Sequence, residues 1–235
     1  MQIADLIKTL KYQKNKIIRS RRLNGESGYY RFSHGIHSAD RISITNHLME
    51  LRGYTSYLEI GVRRKSAMHN AVSAKEKVSV DPDPNAGADH QITSDEYFSQ
   101  CNQTFDLIFI DGLHTGEQVE RDIRNSLNHL NENGAILLHD MNPPTAFHAR
   151  ETYEVDGKYP AWNGTSWKGY AWHRKNSRNL RMFVVDTDWG VGWIEKGAQE
   201  LWSGPIDKYE DLERHRRKIL NLISVEEFIA ISNDA

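Results

Sequence analysis

The stretch FDLIFID, Phe105 to Asp111, constrains the fold more than any other part of the chain. It is a continuous apolar run, too short for a buried helix and rich in strand-forming residues. Such a run fits a central parallel strand covered on both faces. A polar, amphipathic segment follows at once. Thr115 and Gln118 are spaced for a capping box, and Val119, Ile123, Leu127 and Leu130 form one apolar stripe. NENG is expected to stop this helix, with Gly134 suited to a left-handed cap. AILLHD then reads as the next strand. Strand, helix and strand at this spacing imply parallel neighbours joined by a helical crossover.

The same alternation extends upstream. YTSYLEIGV is a strand, 67–74 a helix, KVSVDPDP a strand stopped by prolines, and HQIT a short strand. SDEYFSQC starts a helix with Ser94 as candidate cap and acids in its first turn. Ile44, Leu48 and Leu51 share one face of a helix over 42–51. Ile3, Leu6, Ile7 and Leu10 do the same near the N-terminus, ahead of the basic segment KYQKNKIIRSRR. Downstream, 145–178 interrupts the pattern before LRMFVVDTDWGVGWIEKG, read as an antiparallel hairpin that finishes the sheet. A charged helix over 208–223 follows, with Leu212, Ile219 and Leu220 as its contacts.

The expected divisions are an N-terminal helical extension with a cofactor-covering loop (1–52), an α/β domain (53–197, with 145–178 as a substrate lid) and a helical tail (198–235). A formal charge of −2 carries no global nucleic-acid signature. The single cysteine, Cys101, excludes an intramolecular disulfide and fits a reducing compartment. No run is long and apolar enough for a membrane span, and the opening residues lack a signal-peptide core. These features lead to the expectation of a cytoplasmic protein without membrane or nucleic-acid partners. The terminal helices offer contacts for a homo-oligomer.

Ligands of an open parallel sheet sit beyond the carboxyl ends of its strands. Those ends read Glu59-Ile60-Gly61, Asp81-Pro82-Asp83, Ser94-Asp95, Asp111-Gly112 and His139-Asp140. Carboxylates gathered in one crevice repel each other unless something binds among them. Gly61, followed by Val62, permits a tight turn and close approach of a ligand. Asp81, about twenty residues further on, is placed for ribose hydroxyls. EIGVRRKSA has one glycine where a dinucleotide fingerprint has three, so a nucleoside without phosphates fits better than NAD. S-adenosyl-L-methionine is such a ligand.

YLEIGV, VSVDPDP, TSDEYF, FDLIFIDGLHTGEQVERDI, GAILLHDMNPP and VVDTDWGVGWI together resemble the class I S-adenosylmethionine-dependent methyltransferases. More narrowly, they resemble small bacterial methyltransferase-domain proteins with IDGLH and HD motifs, over roughly 54–197. The resemblance implies a Rossmann-like sheet of seven mostly parallel strands, the last antiparallel, with helices on both faces. It places Glu59, Gly61 and Val62 by the methionine part, Asp81 on the ribose, Ser94 and Asp95 near adenine, and Asp111-Gly112 along the cofactor. Arg64 and Lys65 stand where relatives often carry a second glycine.

Similarity to metal-dependent O-methyltransferases of the catechol and macrolide-sugar types implies Asp111, His139 and Asp140 as ligands for Mg²⁺ or Mn²⁺. His139 is alternatively the general base, and His114 a base or substrate contact. If the strand persists through them, His139 and Asp140 point to opposite sides, and one serves only the core. Trp162, Trp167 and Trp172 suit either an acceptor wall or core packing. The reading is methyl transfer to a hydroxyl of a small molecule, such as a sugar. A nicotinamide-linked oxidoreductase and a non-catalytic nucleoside-binding or partner protein are the alternatives. Relatives of the cephalosporin-hydroxylase kind leave the reaction more open than the fold.

Overall fold

The computed structural model describes residues 39–65 and 67–233. The expected N-terminal helix, the basic segment after it, and the loop with Tyr29, Tyr30, His34 and His37 lie outside the described residues. The chain runs α1 (Arg41–Leu51), β1 (Ser56–Ile60), α2 (Met68–Ala71), β2 (Glu76–Val80), α3 (Ser94–Gln100), β3 (Phe105–Ile110) and α4 (Gly116–Asn128). It continues β4 (Leu130–Leu138), α5 (Ser166–Asn176), β5 (Leu180–Val185), β6 (Val191–Lys196), α6 (Tyr209–Leu220), β7 (Leu222–Ile223) and α7 (Val225–Asn233).

One sheet orders the strands β2-β1-β3-β4-β6-β5-β7. β1, β2, β3 and β4 are mutually parallel, whereas β6 runs antiparallel to both β4 and β5. β7 pairs with β5 in parallel, so the antiparallel strand lies inside the sheet, not at its edge. Alternation along β1, β3 and β4 divides the core in two. Leu58, Ile108, Ile110, Ile136 and Leu138 face Val119 and Ile123 of α4 and Trp167 and Tyr170 of α5. Tyr57, Leu107, Phe109 and Leu137 face the opposite layer with Ile44 and Leu48 of α1 and Phe228 of α7. Apolar side chains on both faces explain why FDLIFID carries no polar alternation.

Several local expectations are corrected. HQIT contributes only one bridge, His90 to Val80, and the seventh strand comes from Leu222–Ile223. Thr93, not Ser94, caps α3, because its hydroxyl accepts from the Glu96 amide while the Glu96 carboxylate accepts from the Thr93 amide. At α4 the Thr115 hydroxyl accepts from the Gln118 amide as expected, but the Gln118 side chain turns to Ser94 and Asp122. The helix ends at His129, and NENG belongs to β4 as an irregularity in its pairing with β3, so Gly134 caps nothing. In α1, Leu51 is exposed, and Thr45 and Met49 join Ile44 and Leu48 inside. The tail helix buries Leu212, Ile219 and Leu220 as read, but it stops before β7, and α7 follows.

The interruption at 145–178 divides into two parts. Its second half is α5, with Trp167, Tyr170 and Ala171 fully buried in the core. Only the stretch from Tyr153 to Asn163 reaches the cleft beyond the strand ends. Behind that cleft, Arg216 of α6 donates to the Asn142 side chain and to the Pro143 carbonyl (2.9 Å). Asn142 donates in turn to Asp186 (3.1 Å). This buried network fixes the turn that follows His139-Asp140.

Candidate active site

A cleft of about 880 Å³ opens beyond the carboxyl ends of β1 to β4. Gly61, Asp81, Ser94, Asp111, Gly112, His114, His139 and Asp140 all line it. Glu59, Val62 and Asp95 do not. Glu59 is buried beneath the first loop, where its carboxylate accepts from the Tyr57 hydroxyl (3.0 Å) and stands 3.4 Å from His69 Nδ1. Val62 contributes its backbone N–H to Asp81, and Asp95 stays at the surface near Arg121.

The first loop is clamped by its own acid. Asp81 Oδ2 accepts from the N–H groups of Val62 (2.9 Å) and Arg63 (2.8 Å), and Oδ1 from Asp83 (2.9 Å). A carboxylate has about four lone-pair sites, so Oδ1 keeps one for a further donor. Gly61 sits at φ 84°, and a Cβ there would stand 2.3 Å from the Asp111 carbonyl oxygen. The ends of β1 and β3 therefore meet in a way only glycine allows.

At the ends of β3 and β4 the side chains converge. His139 Nδ1 lies 3.5 Å from Asp111 Oδ1 and 3.3 Å from Asp140 Oδ2. The backbone explains why His139 and Asp140 face one cluster. β4 ends at Leu138, and Asp140 takes φ 64°, a left-handed conformation that turns its carboxylate back beside the imidazole. Asn163 Nδ2 holds the other Asp140 oxygen at 2.5 Å.

His114 bridges the two acids. Its Nε2 is 3.2 Å from Asp111 Oδ1, and its Nδ1 lies 3.1 Å from the Trp162 carbonyl and 3.4 Å from Asp140 Oδ2. Every partner is an acceptor, an arrangement that favours hydrogen on both ring nitrogens and so the cationic form of His114. Burial works to lower its pKa, but the Asp111 hydrogen bond and the Asp140 charge outweigh it and raise the group. His139 behaves alike: burial lowers it, yet Asp140 and Asp111 lift it well above the ordinary imidazole. For Asp111, burial pushes upward, but the charge of His139 and the hydrogen bonds of both histidines hold it well below the carboxylate range.

The donor set also fits a divalent cation. One ligand atom from each of Asp111, His139 and Asp140 lies within 4.8 Å of the others. Ligands about 2.1 Å from a shared ion stand about 3–4 Å apart, so little movement is needed. Two carboxylates and an imidazole leave positions open, as in catalytic rather than structural sites.

Sequence reasoning missed Arg41, Asn163, Asp188 and Trp189. Arg41 opens α1 and lines the cleft, and Asp188 sits in the β5–β6 turn beside His139. Trp162 is placed between His114 (5.2 Å) and Tyr153 (5.2 Å, nearly parallel), so its faces brace neighbours rather than await a ligand. Trp167 is core, and Trp172 is exposed away from the cleft lining.

The comparisons agree with this architecture. Residues 58–141, from β1 to just past His139-Asp140, match a family described as a methyltransferase domain. No curated protein matches the chain by sequence. The S-adenosylhomocysteine-bound methyltransferase of Podospora anserina superposes with a TM-score of 0.50 at 15% identity, over 80% of this chain and 96% of that one. A proposed O-methyltransferase from Klebsiella pneumoniae gives 0.50 at 16% identity, over 78% and 96% of the two chains. The protein therefore has the class I S-adenosylmethionine-dependent methyltransferase fold. Residues 58–141 are the part of that fold that resembles the methyltransferase-domain family. Among the described residues, no helix is long and apolar enough to cross a membrane.

Proposed function

We propose that the protein is an S-adenosylmethionine-dependent O-methyltransferase acting on a small hydroxylated molecule, with sugars and other vicinal diols as the acceptor class. One observation carries this reading: Asp111, His139 and Asp140 converge in the same cleft that Gly61, Asp81 and Ser94 line. In the cofactor half, the backbone at Gly61 and Gly112 admits close approach, and the spare lone pair of Asp81 receives a ribose hydroxyl. Ser94, with Thr93 and Gln118 beside it, borders the adenine end.

S-adenosylmethionine supplies a methyl group on a sulfonium; the acceptor oxygen forms the new C–O bond as the C–S bond breaks, leaving S-adenosylhomocysteine. Asp111, His139 and Asp140 would hold Mg²⁺ or Mn²⁺, which would supply Lewis acidity toward a hydroxyl. The protein aligns the two reactants, and the acidified hydroxyl releases its proton to solvent. His114 balances the acids, and the aromatic stretch from Tyr153 to Trp162 walls off the acceptor side.

The test is incubation with S-adenosylmethionine, Mg²⁺ or Mn²⁺, and a panel of catechols and sugars, with products read by mass spectrometry. A product heavier by one methyl group, lost in Asp140→Asn, supports the reading. Binding of NAD in place of S-adenosyl ligands would revive the oxidoreductase alternative.

A further inference from the structure

The segment from Tyr153 to Asn163 walls the cleft with irregular chain, carrying an isolated bridge between Val155 and Lys158 at its tip. Backbone carbonyls in such a stretch need partners from elsewhere. Arg150 supplies them for both limbs. Its Nη1 donates to the carbonyls of Phe147 (2.8 Å) and Ala161 (2.9 Å), and its Nη2 to those of Tyr153 and Pro160 (2.9 Å each). The guanidinium lies 4.3 Å from the centre of the Phe147 ring, and the Trp162 indole N–H donates back to the Arg150 carbonyl (2.7 Å). Tyr153, Pro160 and Ala161 line the cleft, whereas Arg150 stands outside that lining. A planar fork with two donors on each terminal nitrogen serves four oxygens at once, which an ammonium with three donors cannot.

The pinned limb leads straight into the cluster of acids and imidazoles. The Trp162 carbonyl is 3.1 Å from His114 Nδ1, and the two rings pack 5.2 Å apart. Asn163 Nδ2 donates to Asp140 Oδ1 (2.5 Å), which leaves Oδ2 turned toward His114 and His139. The N–H groups of Asn163 and Gly164 both donate to the His148 carbonyl (3.0 Å each). Gly164, at φ 63°, leaves no room for a Cβ beside the His114 carbonyl. The orientation of Asp140 therefore depends on the wall, and the path of the wall depends on Arg150.

We propose that Arg150 is a positioning residue. It holds the acceptor wall over the cleft and, through Asn163 and Trp162, sets Asp140 and His114 around a bound cation. The role toward the cation rests on the site proposed above. Without the guanidinium the two limbs separate, Asn163 exchanges Asp140 for solvent, and the carboxylate is no longer aimed. Outer partners that orient a ligating carboxylate commonly govern cation affinity without touching the ion.

The experiment compares the full chain with Arg150→Met and Arg150→Lys in three measurements. These are hydrogen exchange of the 147–163 amides by mass spectrometry, Mn²⁺ binding by electron paramagnetic resonance, and S-adenosylhomocysteine affinity by calorimetry. Arg150→Met keeps an apolar stem against Phe147 and removes every donor. Amide exchange across the segment should rise about 10-fold or more. Mn²⁺ should bind about 10-fold more weakly, while S-adenosylhomocysteine affinity holds. Arg150→Lys should recover part of both losses, a graded rescue that follows donor number. Should Arg150→Met fail to fold, Arg150→Lys carries the same comparisons against the unsubstituted chain. Faster exchange with Mn²⁺ affinity intact would make Arg150 a structural anchor only and overturn the proposal. Unchanged exchange, or S-adenosylhomocysteine affinity lost as far as Mn²⁺ affinity, would overturn it too. No Mn²⁺ binding to the unsubstituted protein overturns the cation site and the role of Arg150 toward it, leaving the methyltransferase reading to the S-adenosylhomocysteine measurement.

Discussion

Replacing Gly61 with alanine tests how the cleft is assembled. The ideal Cβ at Gly61 would stand 2.3 Å from the Asp111 oxygen and 2.4 Å from both the Asp111 carbonyl carbon and Gly112 Cα. All three are backbone atoms at the end of β3, tied to β1 by the Asp111 N–H to Ile60 carbonyl bond of 2.8 Å. None can rotate away. The left-handed conformation costs alanine about 1–2 kcal/mol, and overpacking adds about 1–3 kcal/mol. Gly61→Ala should therefore lose about 2–5 kcal/mol of unfolding free energy. Gly53 is the control, because it has φ 62° but nothing within 4 Å of its Cβ position. Gly53→Ala should lose only the conformational part, about 1–2 kcal/mol. Urea unfolding of both variants measures the difference, and Mn²⁺ titration adds a second readout because the clash displaces Asp111. Equal destabilisation of the two, with Mn²⁺ affinity intact in Gly61→Ala, would refute the proposed junction of β1 and β3.

Asp122 tests the electrostatics of α4. Burial pushes its carboxyl up to about 6, only partly offset by Ser94 and Gln118, and its Oδ2 has no hydrogen-bond partner. Between the unfolded pKa of about 4 and the folded value, the unfolded chain releases this proton first, so stability falls as pH rises. Asp122→Asn should then gain about 1–3 kcal/mol near pH 8 and little near pH 4 in urea unfolding; an equal gain at both contradicts the burial argument. Trp162→Ala removes two ring contacts, and should cost about 1–3 kcal/mol and raise the acceptor KM while S-adenosylhomocysteine affinity holds. Parallel loss of both affinities would mean that Trp162 does more than brace His114. Mn²⁺ affinity should climb with pH until the raised His139 value is passed, because His139 must surrender its proton to bind, whereas the depressed Asp111 is ionised throughout. The imidazolium contribution of His139 and His114 to stability is present below about pH 6.5 and lost as pH rises through their raised values. A pH-independent Mn²⁺ affinity would exclude His139 as a ligand.

The sheet was legible because its central strands are uniformly apolar and its α4 helix has an unambiguous stripe. The strand ends followed from that, and with them Asp111, His139 and Asp140. The sequence pattern was weak where tertiary contacts decide the outcome. HQIT has strand-like residues but little to pair with beyond one bridge to Val80. Leu222–Ile223 is too short to show a period and becomes a strand only because Val184 and Val185 lie alongside. The convergence of His139 and Asp140 depends on one left-handed residue, invisible in an alternating pattern. Glu59 looked like a cleft residue by position, but pleating sends it beneath the loop to Tyr57 and His69. Arg41 and Asp188 come from elements 147 positions apart, and no local spacing could have joined them.

The most direct measurement is calorimetric titration of S-adenosylhomocysteine into the protein, with and without Mn²⁺. Micromolar binding is predicted, weakened when Asp81 is replaced by alanine. The absence of binding under both conditions would contradict the account, and would mean that the loop clamped on Asp81, with Arg64 and Lys65 in it, does not receive an S-adenosyl ligand.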